Sequence, residues 1–199
     1  MKKVYIVGES NHYPTQYGRM FLSEGWFLTD DINKADLVQF TGGEDVSPPL
    51  YGELPHPYTM SNLLRDMNEM EAWTVAKRIG TPCAGICRGG QFLNVMNGGK
   101  MLQHIEDGRH SGKHEAILNY QHELQSVIVS STHHQMMLPA KSGTVLMYAL
   151  SDAGQDTEAV LYPALSDLCF QPHPEFSNVE DCRKIYFDMI GRFLMPGRL

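Results

Sequence analysis

The apolar positions of this chain fall first into short continuous runs and later into alternating stretches. Val4 to Val7, Trp26 to Leu28 and Leu37 to Phe40 have strand length and end in polar or glycine-rich segments. Apolar runs without alternation suit strands buried on both faces. Between the first two, Gln16 to Glu24 has helical spacing and Gly25 supplies a stop. Asp31 to Asp36 reads as a helical turn, and Asn62 to Ile79 as a long helix capped by Ser61 and stopped by Gly80. Leu63, Met67, Met70, Trp73, Ala76 and Ile79 are its expected inner face. Cys83 to Ile86 makes a central strand, and Gly89 to Asn97 the helix after it, with Phe92, Leu93 and Met96 at helical spacing. This alternation of strands and helices implies a parallel sheet.

After Gly98-Gly99 the pattern becomes one of strands: Met101 to Ile105, Glu115 to Leu118, Leu124 to Ser130, Thr144 to Leu150 and Glu158 to Tyr162. They are expected to be antiparallel, as an annex or a sheet edge. Leu168 to Gln171 is the last strand, and Val179 to Leu194 a closing helix opened by a capping box of Ser177 and Glu180. No repeat or linker interrupts the 199 residues, so one domain over residues 1–199 is expected.

Composition narrows the partners. Hydrophobic residues make up 42% and charged residues 20%, the balance of a globular protein with a packed core. A net charge of −7 without a dense basic patch argues against nucleic acid and against an anionic membrane surface. No apolar run approaches the ~20 residues of a membrane-spanning helix, and the start of the chain lacks a signal-peptide core. Four cysteines, Cys83, Cys87, Cys169 and Cys182, form no CxxC pair, which points to a reducing compartment and a cytoplasmic location. His110 and His114 have helix-face spacing but bracket Gly112, and no thiolate joins them, so no metal site is expected. Glycine patterns for nucleotide phosphates are missing, and no cofactor is expected.

The chemistry gathers at strand ends. Cys87 sits at the bend between the central strand and its helix, with Gly85 and Gly89 two residues to either side. That spacing lets a nucleophile protrude from a strained elbow, where the first N–H groups of the helix favour a thiolate. Gly-x-Cys-x-Gly on its own more often marks a small core cysteine, so partners must decide. His173 and Glu175 follow the last strand and would project from the same sheet edge. A histidine there can act as base and acid toward Cys87, and the carboxylate can orient its ring. Thr41-Gly42-Gly43 ends another parallel strand, so the N–H of Gly43 could join that of Arg88 in an oxyanion hole; a plain tight turn is the other reading.

Gly85-Ile86-Cys87-Arg88-Gly89-Gly90-Gln91, taken with His173-Pro174-Glu175, resembles the class I glutamine amidotransferases. The nearest likeness is to the peptidase C26-like branch of gamma-glutamyl hydrolases, which includes gamma-glutamyl-GABA hydrolase. Similar to that branch are Gly42-Gly43 through Pro48, Arg65-Asp66 with Glu69, Gly98 through Gln103, and Ser131-Thr132-His133-His134-Gln135. The resemblance implies an α/β, flavodoxin-like three-layer sandwich with a mostly parallel central sheet and an antiparallel annex. It implies a Cys87-His173-Glu175 triad that cleaves a small gamma-glutamyl amide through a thioester, with Gln91 in the substrate pocket and His133 and His134 facing substrate. Arg65, Asp66 and Glu69 read as a salt-bridged helix face. Three roles remain open at this stage: a hydrolase acting alone, a glutaminase passing ammonia to a synthetase or ligase, and a binding module that keeps the fold without turnover.

Overall fold

The short apolar runs become the parallel half of a nine-stranded sheet in the computed structural model, which describes residues 1–105, 111–120, 124–151, 154–176 and 180–197. In chain order the strands are β1 (Lys3–Ile6), β2 (Phe27–Leu28), β3 (Leu37–Phe40), β4 (Cys83–Ile86), β5 (Lys100–Leu102) and β6 (Ser111–Leu118). They continue with β7 (Gln125–Thr132), β8 (Met136–Leu138), β9 (Thr144–Ser151), β10 (Gly154–Tyr162) and β11 (Asp167–Phe170). The helices are α1 (Gln16–Ser23), α2 (Leu63–Ile79), α3 (Arg88–Met96) and α4 (Glu180–Met189), the last running into a π-helical turn over Ile190–Leu194.

Strands β2, β1, β3, β4 and β11 lie side by side and parallel. The antiparallel strands β10, β9, β6 and β7 continue the same sheet outward from β11, so the expected annex is a sheet extension. Only β5 leaves that group, to pair with β8 in a separate two-stranded sheet. The central strands are buried along their whole length, as expected for a sheet covered on both faces. Phe21 of α1 and Tyr186 and Met189 of α4 pack with Val4, Ile86 and Phe170 on one face. Ala76 of α2 and Phe92 and Leu93 of α3 pack with Val38, Phe40 and Cys169 on the other. Among the polar groups inside, Tyr186 donates to Gln39 at 2.5 Å, and Asp167 accepts from Trp73 and Asn97 at 2.9 Å each.

Helix α2 keeps half of its expected face, since Met70, Trp73 and Ala76 pack into the core while Leu63, Met67 and Ile79 are exposed. Leu63 and Met67 are 58% exposed, whereas Asp66 and Glu69 are buried beside Ala72 and Ala76. The reason lies in α3, whose first residue, Arg88, turns its guanidinium into the core and forms ion pairs with Asp66 and Glu69. A cation removed from water must be paired, and that requirement overrides the apolar spacing of α2. The carboxylates are thus an internal counter-charge and not a solvated face. The cap of α2 is also shifted, because Asn62 accepts from the Arg65 N–H at 3.2 Å while Ser61 pairs with Asp45. Gly80 ends the helix at φ 74° as expected. The short strand β8 carried too few residues to show a period, and Ser177 and His110 lie outside the described residues. No helix among the described residues is long and apolar enough to cross a membrane.

Removing Asp66 leaves the buried Arg88 with Glu69 as its one remaining counter-charge and its other N–H groups without an acceptor. Asp66→Ala is therefore expected to lower the unfolding free energy by about 3–5 kcal/mol, against about 0.5 kcal/mol for the exposed Met67→Ala. Urea denaturation of the two variants checks this.

Candidate active site

Cys87 is the residue at which β4 stops and α3 starts. Its backbone stands at φ 51° and ψ −115°, a conformation that typically costs on the order of 1–3 kcal/mol for a residue with a Cβ. The surroundings hold it there by lacking side chains. A methyl group on Gly85 would run into the Gly89 carbonyl, and one on Gly89 would lie 2.5 Å from the Phe40 carbonyl. The Cys87 N–H donates to the Phe170 carbonyl at 2.7 Å, which fastens the elbow to β11. Arg88 is the first residue of α3, so its N–H has no carbonyl one turn back in the same helix.

The Gly42-Gly43 loop lies against the same point. A methyl on Gly42 would be 3.7 Å from Cys87 Cβ and 3.5 Å from His173 Cε1, so the cysteine and the histidine face one glycine. Gly43 adopts φ 144° with the Arg65 guanidinium packed where a side chain would begin. Arg65 donates to the carbonyls of Thr41 and Gly42 at 3.0 and 2.8 Å and pairs with Glu44 at 2.8 Å and Glu69 at 3.0 Å. One cation therefore ties the glycine loop to α2 and to the counter-charge of Arg88.

His173 is held from four sides. Its Nδ1 lies 2.7 Å from Glu175 Oε1, and its ring stacks on Phe176 at 4.6 Å. Ser130 of β7 accepts from its backbone N–H at 3.0 Å and donates to its carbonyl at 3.1 Å. Thr132, on the same strand, places Oγ1 2.8 Å from Nε2. Burial by itself lowers the imidazole pKa, but hydrogen bonds to Cys87 and Glu175 and their negative charge outweigh it and raise it to about 10. Burial pushes the thiols of Cys83 and Cys169 far up and that of Cys182 up to about 12, so these three stay protonated core residues.

The structure thus brings Cys87, His173 and Glu175 together with the Gly42-Gly43 loop, all at the carboxyl ends of β4, β11 and β3. Gln91 is buried one helical turn beyond Cys87, with Nε2 3.2 Å from Gln171 Oε1 and 3.4 Å from the Gln135 carbonyl. His133 uses Nδ1–H to donate to the Gln135 carbonyl at 2.7 Å, closing its own turn. His134 is more exposed, with Nε2 3.3 Å from Asp45 Oδ1 and Nδ1 3.4 Å from His104 Nδ1. Sequence reasoning missed Tyr17, whose hydroxyl oxygen accepts from the Gly42 N–H at 3.1 Å. Burial first, then the Glu175 carboxylate, raise its pKa above the usual tyrosine range, so it stays neutral. Ser130 and Thr132 were missed as well; they belong to the hydroxyl run Ser130-Ser131-Thr132 at the end of β7, and Thr132 stood in the Ser131–Gln135 segment without a role of its own. A cleft of about 600 Å³ lined by Glu9, Thr15, Tyr17, Gly42 and Gly43 opens beside the loop. A second, of about 530 Å³ between β7 and α4, holds none of these groups. Among the described residues no cluster of three or more His, Cys, Asp or Glu could hold a metal.

The sequence model of the peptidase C26 family matches residues 23–175, which contain Gly42, Gly43, Cys87, Gln91, Thr132, His173 and Glu175. The chain belongs to the peptidase C26 family. Its relatives place this peptidase C26 chain among the glutamine amidotransferase-like proteins of class I. It is 30% identical to the glutamine amidotransferase-like protein YvdE of Lactococcus lactis over 163 residues, 72% of this chain and 67% of that one. It is 34% identical to Protein NtpR of Enterococcus hirae over 125 residues, 53% of this chain and 52% of NtpR, and so spans about half the length of that relative. A glutamine amidotransferase from Thermotoga maritima superposes with a TM-score of 0.64 at 14% identity, covering 98% of this chain and 88% of that one. The structure of PurLQS from Thermotoga maritima matches with a TM-score of 0.66 at 17% identity, covering 97% and 98%. These likenesses make the fold of the peptidase C26 chain flavodoxin-like.

If the elbow depends on bare glycines, Gly89→Val must displace either Phe40 or α3. The variant is expected to lose about 1–3 kcal/mol of stability or more, read as a fall of several degrees in thermal midpoint. An unchanged melting curve would refute the packing described.

Proposed function

We propose that the chain hydrolyses a gamma-glutamyl amide, either glutamine or a gamma-glutamyl amine, through a thioester on Cys87. The observation that carries this reading is the joining of a cysteine on a strained strand-to-helix turn to a His173–Glu175 pair at 2.7 Å. Cys87 Sγ attacks the side-chain carbonyl carbon, and the N–H groups of Gly43 and Arg88 receive the developing oxyanion, each such donor being worth roughly 10²–10³ in rate. His173, protonated because its pKa is about 10, gives its proton to the leaving nitrogen as the C–N bond breaks. The thioester removes the thiolate that had helped to raise the histidine pKa, so the neutral ring can then act as base toward water. Glutamate leaves and the thiolate returns. Glu175 keeps Nδ1 protonated and the ring oriented in both halves of the reaction. Gln91 contacts the glutamyl part of the substrate, and His133 and His134 border it.

A partner-dependent glutaminase uses the same chemistry but hands ammonia to a synthetase or ligase; the fold likeness to PurLQS makes such a partner a reading to test. Glutamate release by the purified chain across a panel of gamma-glutamyl amides, free glutamine included, separates the readings. Efficient turnover of one amide supports the hydrolase acting alone. Thioester formation with negligible turnover favours the partner-dependent subunit, and neither event leaves the binding module.

On this mechanism Cys87→Ala and His173→Asn are each expected to lose at least about a thousandfold in turnover, and Glu175→Gln less, because an amide still orients the ring. Full activity in Cys87→Ala would end the proposal. The pH dependence follows from His173. A folded pKa of about 10, above its ordinary 6.5, means that the interaction stabilises the fold fully below pH 6.5 and is lost as pH rises through about 10. Acylation, which needs the protonated ring, should fall over the same alkaline limb, as a pre-steady-state pH profile would record.

A further inference from the structure

Thr132 is an exposed residue at the end of β7, yet its hydroxyl oxygen lies 2.8 Å from Nε2, the nitrogen of His173 that must serve Cys87. That contact is not incidental to a mobile rim. Ser130, two residues earlier on the same strand, grips both the N–H and the carbonyl of His173, and Phe176 covers one face of the ring. Backbone and ring of His173 are therefore both held against β7. Because Glu175 takes the proton of Nδ1, the free lone pair of a neutral His173 is on Nε2, where the Thr132 O–H is placed to donate.

We propose that Thr132 is the positioning residue for water in the hydrolytic half of the reaction, relaying its proton to His173. The inference rests on the thioester mechanism above. Once the leaving amine has taken the proton from Nε2 and departed, the hydroxyl of Thr132 donates to the lone pair left on that nitrogen. Water binds to Oγ1. As its oxygen attacks the thioester carbonyl, forming the new C–O bond, its proton passes to Oγ1 and the proton of Thr132 passes to Nε2. Collapse of the tetrahedral intermediate breaks the C–S bond and returns Sγ as a thiolate facing the imidazolium. The carboxylic acid product loses its proton to solvent. Acylation needs no such relay, because the proton then moves directly from Nε2 to the leaving nitrogen.

The test separates the two halves with a chromogenic gamma-glutamyl anilide, in which release of the aniline reports acylation and steady-state glutamate reports deacylation. Thr132→Val keeps the shape and removes the hydroxyl; Thr132→Ser keeps the hydroxyl. The expected result is an acylation rate within about threefold of the parent in Thr132→Val, with deacylation slowed about tenfold to a hundredfold. Thioester should accumulate in the mass spectrum, and hydroxylamine, which attacks without a base, should restore turnover. Thr132→Ser should behave as the parent. Unchanged deacylation in Thr132→Val overturns the proposal, as do equal losses in both phases or a serine variant as slow as the valine one, either of which marks a merely structural contact. A parent chain that forms no thioester with any gamma-glutamyl substrate overturns the mechanism itself, and the relay with it.

Discussion

The buried guanidinium of Arg88 is the constraint on which the rest of this structure depends. It is 1% exposed, follows Cys87 directly, and is charged in a place where a lone charge would cost several kcal/mol. Its counter-charges, Asp66 and Glu69, come from α2, so the pairing fixes how α2 lies over α3. Glu69 also receives Arg65, and Arg65 holds the carbonyls of Thr41 and Gly42. A single run of alternating charges thereby connects the turn that carries the cysteine to the loop that faces it. Burial lowers the Arg88 pKa to about 10, still high enough for the group to remain a cation at neutral pH.

On the opposite side of Cys87 the organising element is β7. It lies at the outer end of the nine-stranded sheet, four strands from β11, yet its hydroxyls reach His173. The segment after β11 meets β7 at His173, where Ser130 takes the place of the backbone partners that a strand would have supplied. The antiparallel extension of the sheet is thus part of the site and not an appendage to it. Tyr17 closes the third side, since its hydroxyl accepts from Gly42 and stands near Glu175.

Strain and polarity are concentrated in one place. Among the described residues Cys87 and Ser166 alone combine a side chain with positive φ, and Ser166 lies in the turn before β11. The other cysteines sit within regular, apolar elements, where burial keeps them protonated. The same residue type therefore lies in regular structure at three positions and on a strained turn beside an imidazole at one.

How much of this was legible in the chain depends on the range of the forces involved. The parallel strands, α1, the length of α2 and the Cys87 elbow follow from local rules: apolar run length, helical spacing and the need for bare glycines at Gly85 and Gly89. The His173–Glu175 pair is two residues apart, so its contact was also local and readable. The inner face of α2 was readable only at Met70, Trp73 and Ala76; the burial of Asp66 and Glu69 answers to a guanidinium 22 residues away from Asp66, and spacing within the helix carries no record of that charge. Nor could sequence place Thr132 and Ser130 beside His173, 41 and 43 residues on, since hydroxyls in a strand look alike whether they meet solvent or a ring nitrogen. Local sterics and periodicity determined the elements and the cysteine at their junction; only the packed structure decided which charges lie inside and which hydroxyls touch the histidine, because both are settled by contacts between distant segments.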